Sequence, residues 1–136
     1  MGDKMKKLRQ IAPLLLISFI LLFPVAVKAA TLNSSYEFKG GLYSSKFYVK
    51  SGNRVQVKTV PSKWPKEKFR INIYLEKQGA FGRWYSVNDS WNYSYKTDST
   101  TQMKTNSSGD HRIYLRSSSL PNSQTYKGSL FIFYNY

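Results

Sequence analysis

The chain has no cysteine, one histidine and only seven acidic residues among its 136 positions. Each scarcity excludes something. Without cysteine there is no disulfide framework, on which small exported domains with thin cores commonly depend, and no thiolate nucleophile or lipid-modified anchor. One histidine and scattered acids supply none of the ligand clusters that hold zinc or calcium. A catalytic His111 would need a nucleophile and an orienting acid, and the chain carries no Gly-x-Ser-x-Gly elbow. A glycosidase needs two facing carboxyl groups, roughly 5 to 10 Å apart, one of them in an apolar setting. Glu37, Glu67, Glu76, Asp89, Asp98 and Asp110 instead stand in turns or beside Lys and Arg, as solvated surface acids do. The expectation is a protein that is not an enzyme, with no cofactor and no metal. Helical periodicity with caps is also missing after the first thirty residues.

What is present begins with a processing signal. Lys4, Lys6, Lys7 and Arg9 form a positive leader, positions 11 to 27 are almost purely apolar, and Val27-Lys28-Ala29 places small residues where a signal peptidase reads them. A helical signal peptide over 1–29 is expected, cleaved after Ala29 with Ala30 as the alternative, and the lysine-rich leader points to a protein secreted by a Gram-positive bacterium. Export does not remove the basicity. Of 21 Lys and Arg, sixteen follow residue 29, against six of the acids. That excess concerns solubility and anionic partners rather than fold.

The remaining residues are of single-domain size. Positions 30–35 read as a flexible leader and 36–136 as one domain. Alternation of apolar and polar residues, the mark of a half-buried strand, runs through Arg54 to Thr59, Arg70 to Lys77 and Asp110 to Arg116. In the last of these, Ile113 and Leu115 project to one face and Arg112, Tyr114 and Arg116 to the other, with His111 sharing the inward parity. Ser51-Gly-Asn53 reads as a turn joining Lys46–Lys50 to Arg54–Thr59 in a hairpin. Trp84 to Val87 reads as a strand, Asn88 to Tyr95 has no clear assignment, and Thr101 to Lys104 reads as a brief strand. The apolar run Leu130 to Tyr134 suits a strand buried on both sides or central in a sheet. Seven or eight short strands separated by Gly, Pro, Ser and Asn predict an all-β fold, a small antiparallel β-sandwich of jelly-roll or Ig-like type.

Cationic and aromatic residues interleave along this framework. Lys63, Lys66, Lys68 and Arg70 lie near Trp64, Arg83 abuts Trp84, and Arg112 and Arg116 flank Tyr114. Guanidinium and ammonium groups meet carboxylates or phosphates while flat rings stack, so these residues are the candidate binding set. The expected partner is an anionic cell-wall or matrix polymer, or an anionic membrane surface. No specific nucleic acid is expected, because no recognised nucleic-acid motif accompanies the charge. Two other functions fit the same composition: a secreted antibacterial effector and an inhibitor of an extracellular enzyme. Gly109-Asp-His-Arg-Ile-Tyr-Leu115 resembles the Gly-x-Tyr-x-Val-x-Val strand of many small secreted bacterial β-sandwiches. The precursor layout and the ending Tyr134-Asn-Tyr136 resemble lactococcin 972-type bacteriocins, a resemblance that implies an exported β-sandwich and the antibacterial role.

Overall fold

The structure, a computed structural model, describes residues 29–63, 69–94, 97–118 and 125–136. The expected signal-peptide helix, and Trp64, Lys66 and Lys68 of the candidate set, lie outside the described residues. Among the described residues there are nine strands: β1 (Ala30–Phe38), β2 (Gly41–Tyr43), β3 (Phe47–Val49), β4 (Arg54–Lys63), β5 (Phe69–Gln78), β6 (Trp84–Ser94), β7 (Ser99–Lys104), β8 (Gly109–Ser117) and β9 (Tyr126–Tyr134). They form two antiparallel sheets, β1-β9-β4-β7 and β2-β8-β5-β6, with β3 also pairing β8. The fold is an all-β sandwich.

Alternation builds the core as expected. Val55 and Val57 of β4, Ile71, Ile73 and Leu75 of β5, Ile113 and Leu115 of β8, and Leu130 and Ile132 of β9 are all buried between the sheets. β9 is central in its sheet, yet only one of its faces is fully covered: Phe131 and Phe133 stay partly exposed on the outside.

Three local expectations are corrected. Residues 30–35 are the first part of β1, paired residue by residue with β9, rather than a loose leader; register with a central strand orders them. Lys46 to Thr59 is not a hairpin, because β3 pairs β8 in one sheet and β4 pairs β9 and β7 in the other. The Ser51-Gly-Asn53 turn is therefore a corner between sheets, with Gly52 at φ 83°. Asn135, itself at φ 60°, clamps this corner. Its Oδ1 accepts from Lys50 N (3.0 Å) and Asn53 Nδ2 (3.3 Å), and its Nδ2 donates to the Tyr48 carbonyl (2.9 Å). Third, Asn88 to Ser94 continues the strand begun at Trp84, so β6 runs eleven residues.

β6 inverts the usual pattern. Asn88, Ser90 and Asn92 point inward and Trp91 and Tyr93 outward. The inward polar row zips β6 to the edge of the opposite sheet: Asn88 Nδ2 donates to the Lys104 carbonyl (3.1 Å), Ser90 bonds Thr101, and Asn92 Nδ2 has the Val57 carbonyl (3.2 Å), Thr59 Oγ1 (3.1 Å) and the Ser99 carbonyl (3.0 Å) as acceptors. Buried polar groups with partners hold the sandwich shut along this side.

His111 is fully buried beside Ile113. Its Nδ1 donates to the Gly109 carbonyl (2.9 Å), which leaves Nε2 to accept from the Thr105 hydroxyl (2.9 Å). Both ring nitrogens are thus engaged in structural bonds. Burial pushes its pKa below the ordinary histidine value; the Gly109 carbonyl opposes this, nearby Lys77 adds to it, and Asp110 opposes it. The unfolded chain binds the proton more readily, so stability is retained above pH about 6.5 and declines as pH falls from there towards the folded value. Urea midpoints between pH 7.5 and 5 should fall for the wild-type chain and fall less for His111→Gln. Equal slopes would remove His111 as the cause.

Candidate binding face

The strand register assembles one outer surface from four strands of the five-stranded sheet. Tyr43 of β2 lies opposite Tyr114 of β8, Tyr114 opposite Tyr74 of β5, and Tyr74 opposite Asp89 of β6. The next row runs Gly41, Arg116, Asn72, Trp91, and Arg70 lies opposite Tyr93 beyond it. On the other side of the tyrosine row, Arg112 lies opposite Glu76. Side chains two apart on each strand share this face because the strand period is two.

Part of the surface is rigidly built. Arg112 Nε donates to Glu76 Oε1 at 2.7 Å, with the side chains only 22% and 15% exposed. The same guanidinium lies 3.9 Å from the Tyr43 ring centre and 4.4 Å from that of Trp84. Tyr43 stacks on Tyr114 at 4.4 Å, and Tyr114 on Tyr74 at 5.8 Å. Charge-assisted bonding and ring stacking together fix these groups. Glu76 is accordingly not the solvated acid that the sequence suggested, because the register puts Arg112 directly across from it. Gly41 makes room for the stack, since a Cβ there would sit 2.7 Å from the Tyr114 ring.

The other part is open. Arg70 lies 4.1 Å from the Trp91 ring centre, and Trp91 meets Tyr93 edge-on at 4.8 Å. Trp91, Tyr93, Arg70 and Arg116 are exposed. Among the described residues, neither Arg70 nor Arg116 has a carboxylate within ion-pair distance.

Five of the sequence candidates thus come together: Arg70, Trp84, Arg112, Tyr114 and Arg116. Two do not join them. Lys63 ends β4 in the other sheet, and Arg83 sits exposed at the end of the turn between β5 and β6. Sequence reasoning missed Tyr43, Tyr74, Trp91 and Tyr93. Tyr74 was within reach, since it shares the outward parity of Arg70 and Asn72; Trp91 and Tyr93 were not, because β6 reverses the apolar-in rule. Among the described residues no three His, Asp or Glu side chains gather as a metal site would require.

No protein family and no curated protein matches this sequence. Among solved structures, the chain is similar to PliG of Aeromonas hydrophila, a periplasmic inhibitor of g-type lysozyme, with 16% identity and a TM-score of 0.48 over 82% of this chain and 90% of that one. It is also similar to the Yersinia pseudotuberculosis-derived mitogen, with 11% identity and a TM-score of 0.40 over 79% and 85%.

Proposed function

We propose that this is an exported, non-catalytic binding protein whose outer β2-β8-β5-β6 face takes an anionic polymer of a cell envelope or extracellular matrix. The inversion of β6 carries the reading. A strand that buries asparagine and serine while presenting Trp91 and Tyr93 to solvent forgoes core packing, and large exposed rings are informative where buried polar groups accompany them. Beside them stand Arg70 and Arg116, free of acidic partners among the described residues. Rings that can stack on sugars and guanidinium groups that can pair with phosphate or carboxylate suit a charged glycan.

The test is retention of residues 30–136 on purified anionic cell-wall polymer over a salt series. Arg70→Ala with Arg116→Ala, both at exposed positions, should lower retention about tenfold at low salt and leave the thermal midpoint within a degree or two. Equal retention of variant and wild type would sink the reading. Growth inhibition that disappears in the same variant would give the face an antibacterial role.

One observation favours a second reading, inhibition of an extracellular enzyme. Tyr, Trp and Arg are the residues that anchor protein interfaces, and here they form a pre-ordered patch. Salt-insensitive binding together with inhibition of a g-type lysozyme, used as the probe enzyme, would replace the polymer by a protein partner.

A further inference from the structure

The turn between β5 and β6 departs from what its geometry demands. Gly79 N donates to the Arg83 carbonyl (2.7 Å) and Arg83 N returns to the Ala80 carbonyl (3.4 Å), closing the chain around Phe81 and Gly82. Phe81 has φ 59° and ψ 25°, and Gly82 has φ 70°. Two successive left-handed residues define a type I′ hairpin turn, whose first central position ordinarily takes Asn, Asp or Gly. A bulky aromatic there is strained. Nor does its ring pack on anything, for Phe81 is 100% exposed. The position therefore gives up turn stability and places a large apolar group at the outermost point of the hairpin.

The surroundings are cationic. The topology brings the ends of β3, β5 and β7 and the starts of β4, β6 and β8 to this end of the sandwich. Lys50, Arg54, Lys77, Arg83 and Lys104 all sit there, and among the described residues none of them is ion-paired to a carboxylate. Among the described residues Asp110, 3.8 Å from Lys46, is the nearby acid; Glu76 faces away and is held by Arg112. Arg54 and Lys104 are even direct cross-strand neighbours, an arrangement that is unfavourable until an anion bridges it.

We propose that the Phe81 hairpin tip is a membrane-docking element that inserts its ring into the interface of a bilayer rich in anionic phospholipid, while the surrounding Lys and Arg meet the headgroup phosphates. A soluble polyanion would satisfy the charges and leave the ring in water. A lipid surface offers both an anionic layer and an apolar layer a few ångströms beneath it, which is the order in which this end presents its groups. The site is distinct from the β2-β8-β5-β6 face and does not rest on its function.

Both sheets are complete within residues 30–136, so that segment serves for the test, with a cooperative thermal transition as its entry control. Vesicles of phosphatidylcholine with and without phosphatidylglycerol are the probe. The wild-type protein should sediment with the anionic vesicles alone. Phe81→Asn supplies the residue that the turn prefers, so its thermal midpoint should be unchanged or raised while vesicle binding falls about tenfold. The indole introduced by Phe81→Trp should shift its emission to the blue on anionic vesicles and be quenched by brominated acyl chains, relative to the wild-type protein. Arg70→Ala with Arg116→Ala should bind vesicles as the wild type does. Undiminished binding by Phe81→Asn, or an unshifted and unquenched indole, overturns the proposal. So does loss of binding to a purified protein or soluble polymer in Phe81→Asn without any vesicle binding by the wild type.

Discussion

Cut after Ser129, the chain should show no cooperative thermal transition. The missing residues carry the centre of a sheet: β9 lies between β1 and β4, so removing its second half leaves residues 30–34 of β1 and 55–59 of β4 without their common neighbour. Leu130 and Ile132 are buried, and each large aliphatic side chain lost from a core costs about 2 to 5 kcal/mol. Asn135 is lost as well, and with it the three hydrogen bonds that hold the corner between Tyr48 and Asn53. The sum reaches the whole stability of a domain of this size, about 5 to 15 kcal/mol. Circular dichroism melts of residues 30–136 and 30–129 decide the matter. A sharp transition in the shorter chain would mean that β1 and β4 find another arrangement, and that the strand pairing described above is not what stabilises the sheet.

Gly128→Ala should destabilise the protein by about 2 to 4 kcal/mol, a fall of roughly 10 to 25 °C in thermal midpoint. Gly128 is not at a positive φ, so the cost comes from space alone. A Cβ at this position would run into the Val60 carbonyl oxygen and lie 2.6 Å from the Tyr36 hydroxyl. Tyr36 is its cross-strand neighbour in β1, and its ring occupies the room that the glycine leaves. The Tyr36 hydroxyl is buried with no partner among the described residues, and burial, aided by the charge of Asp98, holds its pKa well above the ordinary tyrosine value. Moving the tyrosine would relieve only half of the conflict, because the Val60 oxygen belongs to the backbone next to the register shift between Pro61 and Lys63. Tyr36→Phe combined with Gly128→Ala should therefore remain destabilised. A wild-type melting temperature in the single variant would show that β9 can shift away from β4 without cost.

These two expectations and the binding face differ in how far the sequence reveals them. Alternation in Arg54 to Thr59, Arg70 to Lys77 and Asp110 to Arg116 was enough to name strands and assign their inward residues, because a half-buried strand must separate apolar from polar residues every second position. The same logic failed for β6. Its inward residues are polar because they bond to the edge of the facing sheet, and its outward ones aromatic because they belong to a surface, so neither could be assigned before that edge was known. Likewise Gly128, between Lys127 and Ser129, looks like a weak point ahead of the apolar run until Tyr36 is placed against it.

Residue patterning alone was enough for the all-β sandwich, the buried faces of its regular strands, the inward histidine and the outward row Arg112, Tyr114, Arg116. What that row joins depends on which strands lie beside it in the folded sheet. Register across four strands set Glu76 against Arg112 and Tyr43 and Tyr74 against Tyr114, brought Arg70 and Trp91 alongside, and separated Lys63 and Arg83 from them. Pairing between distant strands follows from the closure of the whole sandwich, and period-two patterning within one strand carries no record of which strand will lie beside it.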